Sequence, residues 1–240
     1  MDRWIALVSG LAGFITAVAT LFTVREMKKQ RISSYLPDLF FPKTILYVYR
    51  DEDGSVFASS EENLSKSSHL EILNKRNYAF LEILNIGAGA AREVILKWDC
   101  DVDAFINIIS KLDVGRTIEH EEGVLKIDNS SSFIFNQCDD EVLHIAPMHI
   151  EPKPIRCKIP IFYLELYSLY FYHTFCTRKV GTIYGYEDPT PLELYLTYKD
   201  IGNNRHELSL SIKPDFDMAW GTGSGLSCVG DAALKVTRIK

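Results

Sequence analysis

The chain begins with a continuous apolar stretch and goes on with short segments in which apolar and polar residues alternate. From Trp4 to Val24 no residue carries a charge. A helix of that length spans roughly 31 Å at about 1.5 Å per residue, close to the bilayer's hydrocarbon core of about 30 Å. The pattern predicts one transmembrane helix. The charged residues from Glu26 to Arg31 are expected to continue it out of the membrane, and Pro37 to end it.

A cleaved signal peptide is the competing interpretation of the same segment. Ala17-Val18-Ala19 resembles a small-x-small cleavage site. Against cleavage, the apolar run continues to Val24, and Asp2 offsets the charge of Arg3, so the region before the apolar run is not clearly basic.

The basic residues on either side of the helix predict its orientation. Arg3 alone lies before the helix, whereas Arg25, Lys28, Lys29 and Arg31 follow it. Because cytoplasmic flanks are enriched in Lys and Arg, the C-terminal domain is expected on the cytoplasmic side.

The helix also carries a stripe of small residues, at Ala6, Gly10, Gly13 and Ala17, which Thr20 extends. Their spacing of four, three, four and three places them on one face, where a second backbone can approach closely. The stripe predicts self-association through this face. The alternative is the ordinary abundance of small residues in membrane helices.

Residues 1–31 are therefore interpreted as anchor and basic juxtamembrane segment, and residues 32–240 as one soluble, mainly β domain. Short strands separated by turn residues are typical of a two-sheet, immunoglobulin-like sandwich, here with one or two short helices. Residues 51–77 are predicted as a loop, or as a polar helix around Glu61–Ile72. The predicted strands are Thr44–Tyr49, Tyr78–Ile86, Ala91–Trp98, Val124–Ile127, Phe133–Phe135, Val142–Ile145, Ile155–Ile159, Leu192–Tyr198, Leu208–Ile212 and Ala233–Ile239. Within Ala91–Trp98, Val94, Leu96 and Trp98 are expected on one face and Glu93, Ile95 and Lys97 on the other. Leu192–Tyr198 and Leu208–Ile212 are expected to form a hairpin across a turn at residues 202–204.

Two segments have helical rather than strand character. Phe105–Leu112 has helix-like apolar spacing, and the aromatic stretch 162–172 follows Pro160, a residue favoured at a first helical turn. The aromatic stretch is expected to be a buried helix in the core. It could instead line an apolar ligand pocket or lie at the membrane interface.

A motif stands between the second and third predicted strands. Asn85, Gly87, Gly89 and Ala91 form an Asn-x-Gly-x-Gly-x-Ala pattern, which resembles that of uncharacterised bacterial single-pass membrane proteins with an N-terminal helix and a β-sandwich. The turn at residues 198–203 is similar to the same group. The resemblance implies no general activity, but some proteins of this outline lie in phage-defence loci, which implies a defence role. Physically, the Gly-x-Gly predicts a tight strand-to-strand turn with positive φ.

Charge and cysteine usage narrow the function. Residues 1–31 carry five basic and two acidic residues, or +3, and the remainder carries 21 basic and 30 acidic residues, or −9. An acidic domain lacks the electrostatic footprint for nucleic acid. The five cysteines are odd in number and widely spaced, which favours buried thiols in a reducing compartment over a disulfide framework.

The remaining candidates for chemistry do not match known motifs. Asp99, Asp101 and Asp103 alternate, but the EF-hand pattern fails at its required Gly and Glu positions. A metal cluster of His144, His149 and Glu151 has the wrong spacing for one helix or strand face. The glycine-rich segment Gly221–Gly225 lacks the Lys of a P-loop and is interpreted as a flexible loop. No Gly-x-Ser-x-Gly elbow occurs.

The sequence thus predicts a non-enzymatic interaction or sensing module without cofactor or metal. It is membrane-anchored, faces the cytosol, self-associates through the helix and binds a further protein partner. One alternative is a membrane-tethered enzyme whose site is assembled from residues distant in sequence. Another is an extracytoplasmic envelope domain, which requires the reverse topology.

Overall fold

A computed structural model describes residues 2–62, 64, 69–112, 114–121, 123–128, 131–134, 139–176, 187–219 and 226–239. It contains four α-helices, α1 Asp2–Ser34, α2 His69–Lys75, α3 Val102–Ser110 and α4 Ile161–Phe171, and a π-helical turn Tyr172–Cys176, counted over the described part. The strands are β1 Leu39–Phe40, β2 Thr44–Arg50, β3 Val56–Ser59, β4 Phe80–Asn85, β5 Ala91–Asp99, β6 Ile118–Glu121, β7 Val124–Ile127, β8 Ser131–Ile134, β9 Asp139–Ile145, β10 Ile155–Lys158, β11 Leu192–Lys199, β12 Arg205–Ala219 and β13 Ser227–Arg238.

The N-terminal segment is one uninterrupted helix, α1, that continues through the basic residues to Ser34. This confirms that the charged segment extends the helix and that the helix stops before Pro37. The part of the chain that the structure describes contains no helix that is both long enough and apolar enough to cross a membrane. The prediction of a transmembrane helix over Trp4–Val24 is therefore not supported by the described residues.

The strands form a mainly β fold, as the sequence predicts. The largest sheet has seven antiparallel strands in the order β3-β2-β13-β12-β11-β5-β9, and β1-β4-β10 and β6-β7-β8 form two smaller sheets. The alternation predicted for β5 is confirmed, since Val94, Leu96 and Trp98 are buried while Ile95 and Lys97 are exposed. The β11–β12 hairpin is confirmed as well, with Lys199 paired to Arg205 across the turn.

Helix α4 confirms the interpretation of the aromatic stretch as a buried core helix. Phe162, Tyr163, Tyr167 and Phe171 are each at most 5% exposed. They belong to the same buried cluster as the inward side chains of β2, β5, β11, β12 and β13. Apart from Glu165 and Ser168, this helix is apolar around its whole circumference. Such a helix is stable only when other elements pack against all of its sides, as the curled sheet and α3 do.

Three features differ from the sequence-based expectations. Val56–Ser59 is a strand within the predicted loop, buried along its whole length. Helix α2 spans His69–Lys75, so only its first four residues fall within the predicted polar helix. The strands divide into sheets of seven and three plus a separate meander, unlike the four and three of an immunoglobulin constant domain. Finally, β4 and β5 belong to different sheets, so the motif between them is a corner and not a hairpin turn.

Candidate functional site at the junction of helix and domain

The end of α1 passes directly into the β domain without a linker. After Ser34 a turn at Tyr35 leads to Pro37, which is buried and cannot continue a helix. Leu39 then pairs with Asn85 at the start of β1. This junction is the place where any movement of the helix would reach the domain.

One side chain, that of Asn85, connects the segments that meet at the junction. It is 1% exposed, and its Oδ1 accepts hydrogen bonds from the backbone N–H groups of Asp38 and Gly87, both at 3.1 Å. Its Nδ2 donates to the carbonyl oxygens of Gly89 at 2.7 Å and Ile145 at 3.2 Å. A carboxamide offers two donors and one doubly accepting oxygen, so all four of its hydrogen-bonding positions are used.

The two glycines of the motif are required by close packing of backbones. A Cβ atom on Gly89 would lie 1.7 Å from the carbonyl oxygen of Tyr35, and one on Gly87 would lie 2.3 Å from that of Leu36. Neither glycine has φ in the left-handed range. The prediction of a positive-φ turn is therefore wrong. Glycine is needed at these two positions because a side chain would collide with the backbone at the end of α1, and not because the backbone angle is unusual.

Further backbone contacts hold the same segments together. The N–H of Ile86 donates to the carbonyl oxygen of Asp38 at 2.8 Å, and the N–H of Met148 donates to that of Asn85 at 2.7 Å. Arg238, at the end of the last strand, donates to the carbonyl oxygen of Leu39 at 3.2 Å. We call the contacts of residues 35–39 with residues 85–89 the junction clamp. The junction clamp consists of neutral amide groups. It connects the helix to the domain mechanically, and these amides do not provide an acid, a base or a nucleophile for catalysis.

The β11–β12 turn lies at the same end of the large sheet as the junction clamp. Asp200 in this turn is buried and accepts hydrogen bonds from the N–H of Asn204 at 2.9 Å and from His206 Nε2 at 3.0 Å. Burial raises the pKa of the Asp200 carboxyl, but the hydrogen bonds from His206 and Asn204 outweigh it and lower the pKa to about 2. The carboxylate therefore stays ionised and fixes the turn geometry.

Among the described residues, no three His, Cys, Asp or Glu side chains come together as a metal site. Asp101 instead caps α3, accepting from the N–H of Ala104 at 2.9 Å, and Asp103 lies 2.8 Å from His120 Nδ1. His144, His149 and Glu151 are exposed. The glycine-rich segment Gly221–Gly225 lies outside the described residues.

The described cysteines, Cys100, Cys157, Cys176 and Cys228, are free thiols. Burial raises the pKa of Cys100 to about 12 and those of Cys176 and Cys228 to about 11. Thiolate is the reactive form of cysteine, so these three thiols are poor nucleophiles near neutral pH. Cys138 lies outside the described part of the chain.

Sequence reasoning missed one titratable group in the interior. Glu165, on α4, accepts a hydrogen bond from Asn77 Nδ2 at 2.8 Å. Burial raises the pKa of Glu165 to about 7, against the opposing effects of Arg76, Arg116 and Asn77. A carboxyl that titrates near neutral pH can act as an acid or a base. The sequence shows only a single Glu inside an aromatic run, and no local pattern indicates that Arg76 and Asn77 lie beside it in the fold.

A surface cavity of about 620 Å³ lies at the C-terminal end of α3. Lys111, Leu112, Arg116 and Ile118 are among its lining residues. Arg116 is already engaged by Asp128 at 3.2 Å, so the cavity presents mixed apolar and ion-paired groups.

The predicted packing stripe on α1 has no partner within the chain where it is described. Nothing other than the helix's own backbone lies within 4 Å of a Cβ built on Gly10 or Gly13, and Ala17 is exposed. The side chain of Ala6 is outside the described part. Association through this face stays a prediction.

No family model matches the chain, and neither a curated protein nor a solved structure matches it. The resemblance of the Asn-x-Gly-x-Gly-x-Ala motif to bacterial single-pass membrane proteins therefore stays a prediction. Any function must be argued from the residues themselves.

Proposed function

We propose that the chain is a non-enzymatic, membrane-anchored interaction or sensing module. In this proposal α1 spans the bilayer once and self-associates, and the β domain faces the cytosol and binds a further protein. The resemblance implies a role in bacterial defence, which forms part of the same proposal.

The observation that carries the proposal is that the domain leaves the large apolar side chains of α1 that the structure describes exposed. Trp4, Phe14, Leu21 and Phe22 are 66–75% exposed. The sequence from Trp4 to Val24 adds apolar residues at 5–8 and 11, whose side chains are not described, and contains no charge. Exposed apolar surface of this extent is unfavourable in water and favourable in lipid.

The polar side chains along the described part of this stretch are compatible with lipid. The hydroxyl groups of Thr16, Thr20 and Thr23 donate to the carbonyl oxygens four residues earlier, at 2.8, 2.8 and 2.9 Å. In the hydrocarbon core each polar group must find its partner within the protein. These three hydroxyls do so within the helix itself.

The junction clamp supports a sensing role over a passive tether. A tether functions with any flexible connection, whereas here the helix end lies against Gly87 and Gly89 and is held by Asn85. Rotation or separation of helices in the membrane would therefore be transmitted to β4 and β5. The domain would then present its partner surface according to the state of the helices.

The experiment that tests anchor and orientation uses the full chain in bacterial cells. A cysteine introduced by Glu52→Cys lies in the exposed turn between β2 and β3. We expect the protein to remain in the membrane fraction after alkaline carbonate washing. A membrane-impermeant maleimide should label the introduced cysteine only after the cells are lysed.

The unsubstituted chain is the matched control. The thiols of Cys100, Cys176 and Cys228 have raised pKa values and should therefore react slowly with the maleimide both in intact and in lysed cells. Release of the protein by carbonate would overturn the anchor. Labelling of the introduced cysteine in intact cells would overturn the cytosolic orientation.

A further inference from the structure

One carboxyl group stands on the otherwise apolar helix α4. Glu165 is the only charged residue between Ile161 and Phe171, and it is partly buried. Its Oε1 accepts a hydrogen bond from Asn77 Nδ2 at 2.8 Å. Because a small part of the residue still reaches the surface, the carboxyl can exchange protons with water.

The partner of this carboxyl, Asn77, also holds β3, which stands at the edge of the large sheet. Asn77 is 5% exposed, and its Oδ1 accepts a hydrogen bond from the N–H of Ala58 at 3.1 Å. Ser168, one turn along α4, donates to the carbonyl oxygen of Val56 at 3.4 Å. The carboxyl therefore lies where α4, β3 and the connection from α2 to β4 meet.

Arg76, the residue before Asn77, is held by the turn between β2 and β3. Its Nη2 donates to Ser55 Oγ at 2.5 Å, and its Nη1 lies 3.8 Å from Asp51 Oδ2. The guanidinium also lies 5.1 Å from the centre of the Phe57 ring. Arg76 thereby connects the β2–β3 turn to the segment that contacts α4.

Two cations, Arg76 and Arg116, lie within electrostatic reach of the Glu165 carboxyl. Burial raises the pKa of Glu165 to about 7, and the opposing effect of Arg76 is larger than that of Arg116. Arg116 is paired with Asp128 at 3.2 Å. The carboxyl is therefore neutral on the acidic side of pH 7 and ionised on the basic side.

The other described elements packed on α4 direct their charged groups elsewhere. Strand β3 contains no charged residue. The guanidinium of Arg50, on β2, lies 5.7 Å from the centre of the Tyr172 ring, and the imidazole of His173 contacts the same ring, with the two centres 5.3 Å apart. Asp103, on α3, lies 2.8 Å from His120 Nδ1.

We propose that Glu165 is a proton-controlled switch that competes with the β2–β3 turn for Arg76. When the carboxyl is neutral, Arg76 stays on Ser55 and Asp51, as in this structure. When the carboxyl is ionised, its charge is incompletely hydrated, and it draws the guanidinium away from the turn, since a paired cation stabilises a buried carboxylate. The turn then keeps its own backbone hydrogen bonds but loses its connection to Arg76.

The switch goes beyond the proposed function, which names no signal, and it does not depend on α1 as a membrane anchor. The signal is the proton concentration around the domain. The response is the order of a turn whose residues Glu52 and Asp53 are exposed, so a protein partner that contacts this turn would respond to pH.

The test measures hydrogen exchange of the full chain by mass spectrometry below and above the Glu165 pKa of about 7, with each rate corrected for the intrinsic effect of pH. The N–H groups of Asp51 and Gly54 donate to the carbonyl oxygens of Ser55 at 2.8 Å and Asp51 at 3.0 Å. Their peptide should exchange about 10-fold faster above this pH, because the turn loses a hydrogen bond to a charged group. Peptides from β11 and β12 should show no such step.

Two variants hold the switch in one state each. Glu165→Gln stays neutral and should keep the slow exchange of the turn at every pH, whereas Arg76→Gln should make it fast at every pH. The matched control is Arg116→Gln, which removes the second cation that faces the same carboxyl. It should retain the step at a slightly higher pH, since loss of a positive charge raises the pKa of a carboxyl.

Three outcomes would overturn the switch. The first is exchange of the turn that does not change with pH in the unsubstituted chain, or a step that persists in Glu165→Gln. The second is equal behaviour of Arg76→Gln and Arg116→Gln, because the competition would then not concern Arg76. The third is a step of the same size in β11 and β12, since the effect of pH would then be global unfolding. The carbonate and maleimide experiments test the anchor separately.

Discussion

Replacing Gly89 by alanine is the sharpest perturbation of the junction clamp. The added Cβ would lie 1.7 Å from the carbonyl oxygen of Tyr35, and real Cβ atoms essentially never approach closer than 3.0 Å, so the two segments must separate by at least about 1.3 Å. The Tyr35 atoms that this Cβ would meet belong to the backbone, which cannot move aside as a flexible side chain can. We therefore expect the end of α1 to detach from the corner.

The cost follows from the hydrogen bonds that this separation breaks. They are the two bonds that join the segments, one from the Asp38 N–H to Asn85 Oδ1 at 3.1 Å and one from the Ile86 N–H to the Asp38 carbonyl at 2.8 Å. At about 1 kcal/mol each, the junction clamp loses roughly 2 kcal/mol. Because the seven-stranded sheet does not include this contact, we expect local opening and not global unfolding.

Hydrogen exchange read by mass spectrometry measures this loss directly. An opening free energy lower by about 2 kcal/mol corresponds to exchange faster by about 30-fold. The peptides that contain the N–H groups of Ile86 and Asp38 should show this acceleration, whereas peptides from β11 and β12 should exchange as in the unsubstituted chain.

The matched control is Gly202→Ala, at the same end of the domain. Its added Cβ would meet side-chain atoms of Asn204 and Asp200 at 3.0 and 3.2 Å, and small rotations relieve such contacts. Exchange at Ile86 should be unchanged in this variant. If Gly89→Ala leaves exchange at Ile86 unaltered, or if both variants behave alike, the junction clamp does not hold the helix end.

Three further predictions concern other parts of the chain. Burial raises the pKa of Glu165 from 4.5 to about 7, so the folded state favours the neutral carboxyl. The stabilisation of the folded protein that this provides is fully present below pH 4.5 and is lost as the pH rises through about 7. Glu165→Gln should accordingly raise the free energy of unfolding at pH 8 by up to about 3 kcal/mol and by little at pH 4.5 in denaturant titrations, and an equal effect at both pH values would contradict the assignment. Asn85→Asp should destabilise the fold by about 2–4 kcal/mol in the same assay, because a carboxylate cannot donate to the two carbonyl oxygens that Asn85 holds, and unchanged stability would exclude the hydrogen-bonding role. Gly10→Ile should weaken crosslinking between helices in membranes, whereas Leu11→Ile on another face should not; a monomeric unsubstituted chain would refute the packing stripe.

Local pattern was sufficient for much of the secondary structure. The alternation in β5 and in the β11–β12 hairpin was predictable because burial of one sheet face imposes a two-residue period on the chain. Helix α4 was predictable from Pro160 at its start and from the length of its apolar run, which suits a buried helix better than a strand. The strand β3 escaped prediction because its four residues, Val56–Ser59, are buried without alternation and stand among polar neighbours. Such a short run carries no period that distinguishes a strand from a loop.

The candidate site was predictable only in part. The Asn-x-Gly-x-Gly-x-Ala motif marked the place, but its glycines indicated a tight turn when considered alone. The residues that need the space, Tyr35 and Leu36, lie about fifty positions earlier in the chain. Glu165 likewise depends on Asn77, 88 positions away.

By itself, the sequence determined the long N-terminal helix, its end before Pro37, the net charges of its two parts and a mainly β domain, since each depends on residues that are neighbours along the chain. Only the tertiary structure decided that the strands divide into sheets of seven and three, that Asn85 joins residues 38, 87, 89 and 145, and that Asn77 and Arg76 lie beside Glu165. The physical reason is that a pattern reports which face of an element is buried. Which distant segment buries it is set by packing and by hydrogen bonds, and these form only when the whole chain has folded.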